Sequence, residues 1–286
     1  MIKETAYAKI NIGLDIVDVR PDGYHNIDTI MQTVSLFDEV HLEKAAGVSV
    51  YCSNPDIPSD ETNTAYKAAA VFLKKAGLDS SETGVSISIE KNIPPQSGLG
   101  GGSSDAAAVL RGLNNLYCTN YGTSVLEELA LKIGSDVPFC ISGGTQRAGG
   151  KGEILIKLPL FIGLYAVVVM PDEIVNTAHA YSLFRHSKTV VHPDMGATAY
   201  ALGEKNLSLL GAVIGNTFEG LVFPEKRAIE KVRHDILVTG APVVLMTGSG
   251  AAVYGLYSSF EEANLAYIEL NRNYRSYLVE TIRGVI

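Results

Sequence analysis

Pro94-Pro95-Gln96-Ser97-Gly98-Leu99-Gly100-Gly101-Gly102-Ser103-Ser104-Asp105-Ala106-Ala107 joins two segments of different period. Before it, Val85-Ser86-Ile87-Ser88-Ile89-Glu90 alternates as a half-buried strand does. After it, Ser103 to Tyr117 reads as a helix opened by serines and Asp105. Four glycines in the five positions from 98 to 102 let backbone N–H groups approach an anion without side-chain interference. The first helical turn adds unpaired donors and the positive end of its dipole. The stretch reads as a phosphate cradle. A lysine-bearing P-loop would need Gly-Lys-Ser/Thr where Gly102-Ser103-Ser104 stands. A dinucleotide fingerprint would need a third glycine at Ser103 and an uninterrupted apolar strand ahead of it.

Toward the N-terminus, Ile10, Ile12, Leu14 and Ile16 alternate with Asn11, Gly13 and Asp15, which predicts a strand with Lys9 and Asn11 on its non-core face. Arg20-Pro21-Asp22-Gly23 predicts a type I turn that thrusts Tyr24 and His25 outward together. Thr33 to Glu43 alternates again, and Asn63 to Ala76 is an alanine-rich helix stopped by Gly77. A third helix is expected from about Ser124 to Ile133, closed by Gly134, followed by a glycine-heavy stretch from Gly143 to Gly152.

A different pattern begins with the apolar strand Leu164 to Met170. A helix around Thr177 to His186, helical segments from Leu207 to His234, a strand pair flanking Thr247-Gly248-Ser249-Gly250, a helix from Glu261 and a last strand complete it. Directly paired strands with helices grouped between them predict α+β layers rather than a doubly wound sheet. Two domains, 1–158 and 159–286, suit a chain of 286 residues that is 47% hydrophobic, a size at which single cores usually split.

A net charge of −8 without any run of lysine or arginine disfavours nucleic acid and anionic membranes and favours a small-molecule partner. The N-terminus lacks the apolar stretch of a secretory signal, and Leu158 to Met170 is broken by Pro159 and too short to cross a membrane. A cytoplasmic protein is expected. Cys52, Cys118 and Cys140 lack the spacing of a disulfide framework or a zinc site. The oligomeric state is not legible.

The glycine segment resembles the phosphate-binding motif of the GHMP kinases. Tyr7-Ala8-Lys9-Ile10-Asn11 and Thr247-Gly248-Ser249-Gly250-Ala251 resemble the N-terminal signature and C-terminal glycine motif of the same superfamily, in the same order. Arg20 to His25, Gly134-Ser135-Asp136-Val137-Pro138-Phe139, and Gly143-Gly144-Thr145 through Gly152-Glu153 are similar to signatures of the branch that phosphorylates 4-diphosphocytidyl-2-C-methyl-D-erythritol in non-mevalonate isoprenoid synthesis.

The resemblance implies a two-domain GHMP kinase fold, with a ribosomal-protein-S5-like N-terminal domain and a ferredoxin-like C-terminal domain. It implies ATP as phosphoryl donor, Mg²⁺, and a cytidine diphosphate sugar-alcohol as acceptor, phosphorylated on its 2-hydroxyl. By the same resemblance Lys9 and Asp136 are the catalytic pair, and Pro94 to Ser104 binds the ATP phosphates. Asn63 and Lys91 flank the adenosine, and Asn11, Tyr24, His25, Tyr181, Gly248, Ser249 and Gly250 meet the acceptor, with Tyr181 stacking on the cytosine. Ser103 and Ser104 are candidates to touch phosphate or Mg²⁺, and no carboxylate set is identified as a metal site. Two alternatives stay open: a kinase of the homoserine or mevalonate type, and a catalytically silent nucleotide-binding module.

Overall fold

The structure, a computed structural model, describes residues 1–78, 82–187 and 189–285. Strands β1 (Ile2–Val19) and β2 (His25–Ala45) form a long antiparallel hairpin. Its turn closes through the Arg20 N–H on Tyr24 O and the Gly23 N–H on Arg20 O, as Pro21 and Gly23 predict. β3 (Val48–Cys52), α1 (Thr64–Ala76) and β4 (Gly84–Glu90) follow. Asn63 caps α1 by accepting from the Ala65 N–H, and Gly77 ends it with a left-handed φ of 68°. Next come α2 (Gly101–Leu116), α3 (Thr123–Leu131), α4 (Val137–Ser142), β5 (Thr145–Gly149) and β6 (Ile154–Lys157). The first sheet runs β3-β4-β2-β5-β6 with β1 on β2, and only β3 and β4 pair in parallel.

β7 (Tyr165–Met170) opens the second sheet; α5 (Thr177–His186), α6 (Met195–Gly203), α7 (Leu207–Val213), α8 (Thr217–Val222) and α9 (Arg227–Val238) follow. β8 (Val243–Met246), β9 (Val253–Tyr257), α10 (Phe260–Leu270) and β10 (Arg275–Glu280) complete it. Its antiparallel order β10-β7-β9-β8 is the ferredoxin-like arrangement. The α+β expectation holds. Among the described residues no helix is long and apolar enough to cross a membrane.

One core lies between the first sheet and α1 to α4, around Leu42, Phe72, Ile87 and Leu110. A second packs α5 and α8 to α10 on the other sheet, around Val167, Val232 and Val253. A third joins the halves, with Ile10, Ile12, Ile30 and Val34 against Val168, Leu245 and Tyr254. This arrangement corrects two expectations, one about β1 and one about the turn that follows it. Lys9 and Asn11 do not lie on an open face: they are 4% and 2% exposed, because the Thr247 loop and the phosphate loop cover that side. Tyr24 and His25 do not emerge together, since β2 starts at His25 and successive side chains alternate; Tyr24 is 59% exposed and His25 only 7%. α4, α6, β3, β5 and β6 have no counterpart among the elements expected from the sequence.

Candidate active site

The phosphate loop is shaped by steric demand. Gly98 has a φ of 79°, and a Cβ there would lie 2.2 Å from Thr247 O; one on Gly100, at φ 73°, would press the Lys9 stem at 3.1 Å. Gly100 is the N-cap of α2 and offers no side-chain acceptor, so the expected serine cap is absent. The N–H groups opening the helix, with no side chain to satisfy them, are left for an anion. Ser103 lines the cavity beside them. Ser104 turns inward, its hydroxyl donating to Tyr7 O, and Leu99 is wholly buried.

A cavity of about 590 Å³ runs from this loop into the cleft between the two sheets. Pro94, Pro95, Gln96, Ser97, Gly98, Gly100, Gly101, Gly102 and Ser103 line its phosphate end, with Asn63 and Lys91 beside them; Lys9, Asn11, Asp136, Tyr181, Gly248 and Ser249 also face it. The structure thus brings together most of the expected residues. Leu99, Ser104, Tyr24, His25 and Gly250 stand outside the lining.

Lys9 Nζ lies 3.2 Å from Asp136 Oδ2 and donates to Asn11 Oδ1 at 2.7 Å. An ammonium has three N–H donors, so one remains for a phosphate oxygen. Asn11 is engaged on every side: its Nδ2 donates to Thr29 Oγ1 at 2.9 Å, and its backbone N–H donates to Thr247 Oγ1 at 3.1 Å. Its side chain therefore serves Lys9 first. The C-terminal glycine motif is tied to the phosphate loop by the Ala252 N–H on Ser97 O. Asp136 is the N-cap of α4, but its carboxylate makes no capping bond and stays available to Lys9 and to the cavity.

Beside the phosphate loop, where the resemblance implies adenosine, Asn63 spends its amide on the α1 cap and on Pro58 O. The Lys91 ammonium is held between Asp38 and Asp105, so neither side chain is free to read a base. Two carboxylates share that one cation. Asp38 also accepts from the Asn92 and Ile93 N–H groups, whereas Asp105 Oδ1 is buried with no partner. Burial pushes the Asp105 carboxyl up to about 7, Lys91 pulls it down and Asp38 pushes it up.

Where the resemblance implies the acceptor, His25 stacks on Tyr181 with ring centroids 4.7 Å apart and 28° between planes, and Tyr181 meets Phe218 edge-on. Holding a base between His25 and Tyr181 takes two van der Waals layers, about 7 Å, so the rings as they stand are one layer apart, not a base apart. Burial, then the Arg185 charge, lowers the His25 pKa from its ordinary 6.5, and its buried Nε2 has no partner. Lys151, absent from the sequence expectations, lines the cavity and sits 4.4 Å from the Tyr24 ring centroid; its place in a glycine-rich loop gave no local signal. Thr247, which stands in the C-terminal glycine motif, meets Asn11 across 236 positions of sequence, and Thr29 meets it across the β1–β2 hairpin; neither contact has a local signal.

Residues 63–144 match the family model described as GHMP kinases N terminal domain, and residues 198–276 match GHMP kinases C terminal. A 4-diphosphocytidyl-2-C-methyl-D-erythritol kinase of Clostridium tetani is 40% identical over 283 residues, covering 98% of this chain and 100% of the relative. The chain belongs to the 4-diphosphocytidyl-2-C-methyl-D-erythritol kinase family of GHMP kinases. A relative of the same name from Acetivibrio thermocellus is 39% identical over 97% of this GHMP kinase and 98% of its own length. A crystal structure of 4-(cytidine 5'-diphospho)-2C-methyl-D-erythritol kinase superposes with a TM-score of 0.82 at 34% identity, covering 99% of this chain and all of the other. Homoserine kinase from Cytophaga hutchinsonii, at 22% identity and a TM-score of 0.75 over 99% of this chain and 95% of its own, shares the fold.

Proposed function

We infer that this chain transfers the γ-phosphoryl group of ATP to the 2-hydroxyl of 4-diphosphocytidyl-2-C-methyl-D-erythritol, the acceptor that the name of its relatives gives for them. The observation that carries the reading is the buried Lys9–Asp136 pair in a cavity that runs from the phosphate cradle toward the His25–Tyr181 stack. The acceptor hydroxyl attacks the γ-phosphorus as the bond to the β-phosphate oxygen breaks, ADP leaves, and the hydroxyl proton passes to Asp136. Lys9 directs its remaining donor at the transferring group, and the α2 N–H groups hold the other phosphates.

Magnesium would arrive with ATP and would supply charge neutralisation to its phosphates. The residues present fit that role: Asp136 and Ser103 line the cavity, and a cation that keeps most of its waters needs no carboxylate cage. Among the described residues there is no cluster of three or more His, Cys, Asp or Glu side chains suited to a metal.

Tyr181 parts from His25 to admit the cytosine, neutral His25 offers its unpaired Nε2 to the base edge, and Lys151 meets the diphosphate or the base from the opposite wall. The stretch 1–158 then serves as the nucleotide half and 159–286 as the acceptor half, a division supported by the break between β6 and β7. Use of ATP supports a cytoplasmic setting. Phosphorus NMR of the product tests the regiochemistry. A new phosphomonoester coupled to the 2-carbon is expected, and phosphate on another oxygen contradicts the proposed acceptor geometry.

A further inference from the structure

We propose that Arg111, on the helix whose first turn forms the phosphate cradle, is a positioning residue that sets Asp136 by clamping α4 to β1. The inference rests on the reading of Asp136 as the proton acceptor. The Arg111 side chain is only 12% exposed. Its Nη1 donates to Cys140 O on α4 at 2.8 Å, its Nη2 to Thr5 O on β1 at 2.9 Å, and its Nε lies 3.2 Å from Glu4 Oε2. One planar fork thus joins the element carrying Asp136 to the element carrying Lys9 from a base on the nucleotide helix.

The Cys140 N–H donates in turn to Asp136 O, so the carbonyl that Arg111 grips is one helical turn from the catalytic residue. β1 is already tied without Arg111 to α2, through Ser104 on Tyr7 O, and to the phosphate loop, through the Lys9 N–H on Leu99 O. What the guanidinium adds is α4, a six-residue helix too short to hold itself. Val137, Phe139 and Ile141 are buried in the first core, but such contacts are non-directional; the Ser142 hydroxyl donating to Glu127 Oε1 at 2.7 Å fixes the end of α4 to α3, and the fork fixes Cys140 to β1. Its loss should therefore be felt in the chemical step and not in ATP affinity. Lysine keeps the charge opposite Glu4 but cannot reproduce a rigid bidentate grip on two carbonyls.

Arg111→Lys is the first test. Since a misplacement of about 1 Å can cost roughly 100-fold, kcat is expected to fall about 10- to 100-fold, with the ATP Kd and acceptor KM within about 3-fold of wild type. If that variant does not fold, the double variant Glu4→Gln/Arg111→Gln removes both buried charges together and is expected to show the same split. On an Asp136→Asn background the Arg111 exchange should cost less than about 2-fold more, because it acts through a residue already disabled. Wild-type kcat in either Arg111 variant, or a full additional loss on the Asp136→Asn background, overturns the proposal. Wild-type turnover by Asp136→Asn itself removes the catalytic reading beneath it.

Discussion

The Nζ of Lys9 stands 3.2 Å from a carboxylate oxygen of Asp136, with 4% of the lysine side chain and 35% of the aspartate side chain exposed. A surface pair in that geometry contributes little. Here the lysine is buried under the glycine loops while the carboxylate keeps an open side toward the cavity. Lys9→Ala and Asp136→Asn are each expected to lower kcat by about 100- to 10,000-fold, the range for loss of a proton acceptor or a charge at the transferring group. ATP affinity, measured by calorimetry, should change far less.

Gly98 faces Thr247 O so closely that a methyl group at its Cβ position has no room. Gly98→Ala adds that clash to a backbone φ of 79°. The expected loss is about 2–4 kcal/mol from overpacking and left-handed strain combined, with weakened ATP binding because the two glycine loops separate. Denaturant midpoints compared with wild type measure it, and a loss below about 0.5 kcal/mol contradicts the packing.

Tyr181 is where the acceptor's base is expected to stack. Tyr181→Ala should raise the acceptor KM by about 5- to 150-fold, equivalent to the ~1–3 kcal/mol of one base–aromatic stack, and leave the ATP Kd unchanged. An unchanged acceptor KM removes Tyr181 from the site.

His25 gives a pH signature. Its folded pKa lies below its unfolded value of 6.5, so in the window between them the unfolded chain binds the extra proton. Its contribution to stability is fully present above the unfolded value and shrinks as pH falls below it. Wild-type protein should therefore lose more stability than His25→Asn between about pH 7 and pH 5. Parallel curves contradict the burial assigned to His25.

Asp105 carries the opposite sign. Its folded pKa of about 7 lies above the carboxylate value of 3.8, so the folded state holds a proton that the unfolded chain has lost across that interval. Its stabilising effect is complete below the lower value and gone as pH rises through the upper one. Asp105→Asn mimics the protonated acid and leaves Lys91 with Asp38 alone. At about pH 8 it should match or exceed wild type by about 1 kcal/mol, roughly 2–4 °C in Tm.

Features governed by local chemistry were legible in the sequence. α1 was read from Asn63 to Gly77 because both caps act within a few residues, and the phosphate loop because its glycines are consecutive. The second sheet could be read from β7 onward since its strands are apolar runs with clear breaks. What escaped depends on distant cover. β1 alternates as a one-sided strand should, yet the Thr247 loop buries its other face, which hid the environment of Lys9 and Asn11. β5 and β6 are short and bordered by glycines, and α4 is six residues with a proline in its first turn, so none carries a usable period. The opposite fates of Tyr24 and His25 follow from where β2 begins, a boundary that the turn motif does not specify. The engagement of Lys91 by Asp38 and Asp105 joins three separate segments.

ADP release with Mg-ATP and, in parallel, 4-diphosphocytidyl-2-C-methyl-D-erythritol, homoserine or mevalonate tests the central claim most directly. Turnover with the cytidyl acceptor alone is the predicted result. Turnover with homoserine or mevalonate instead, or none with any acceptor while ATP still binds, would contradict it.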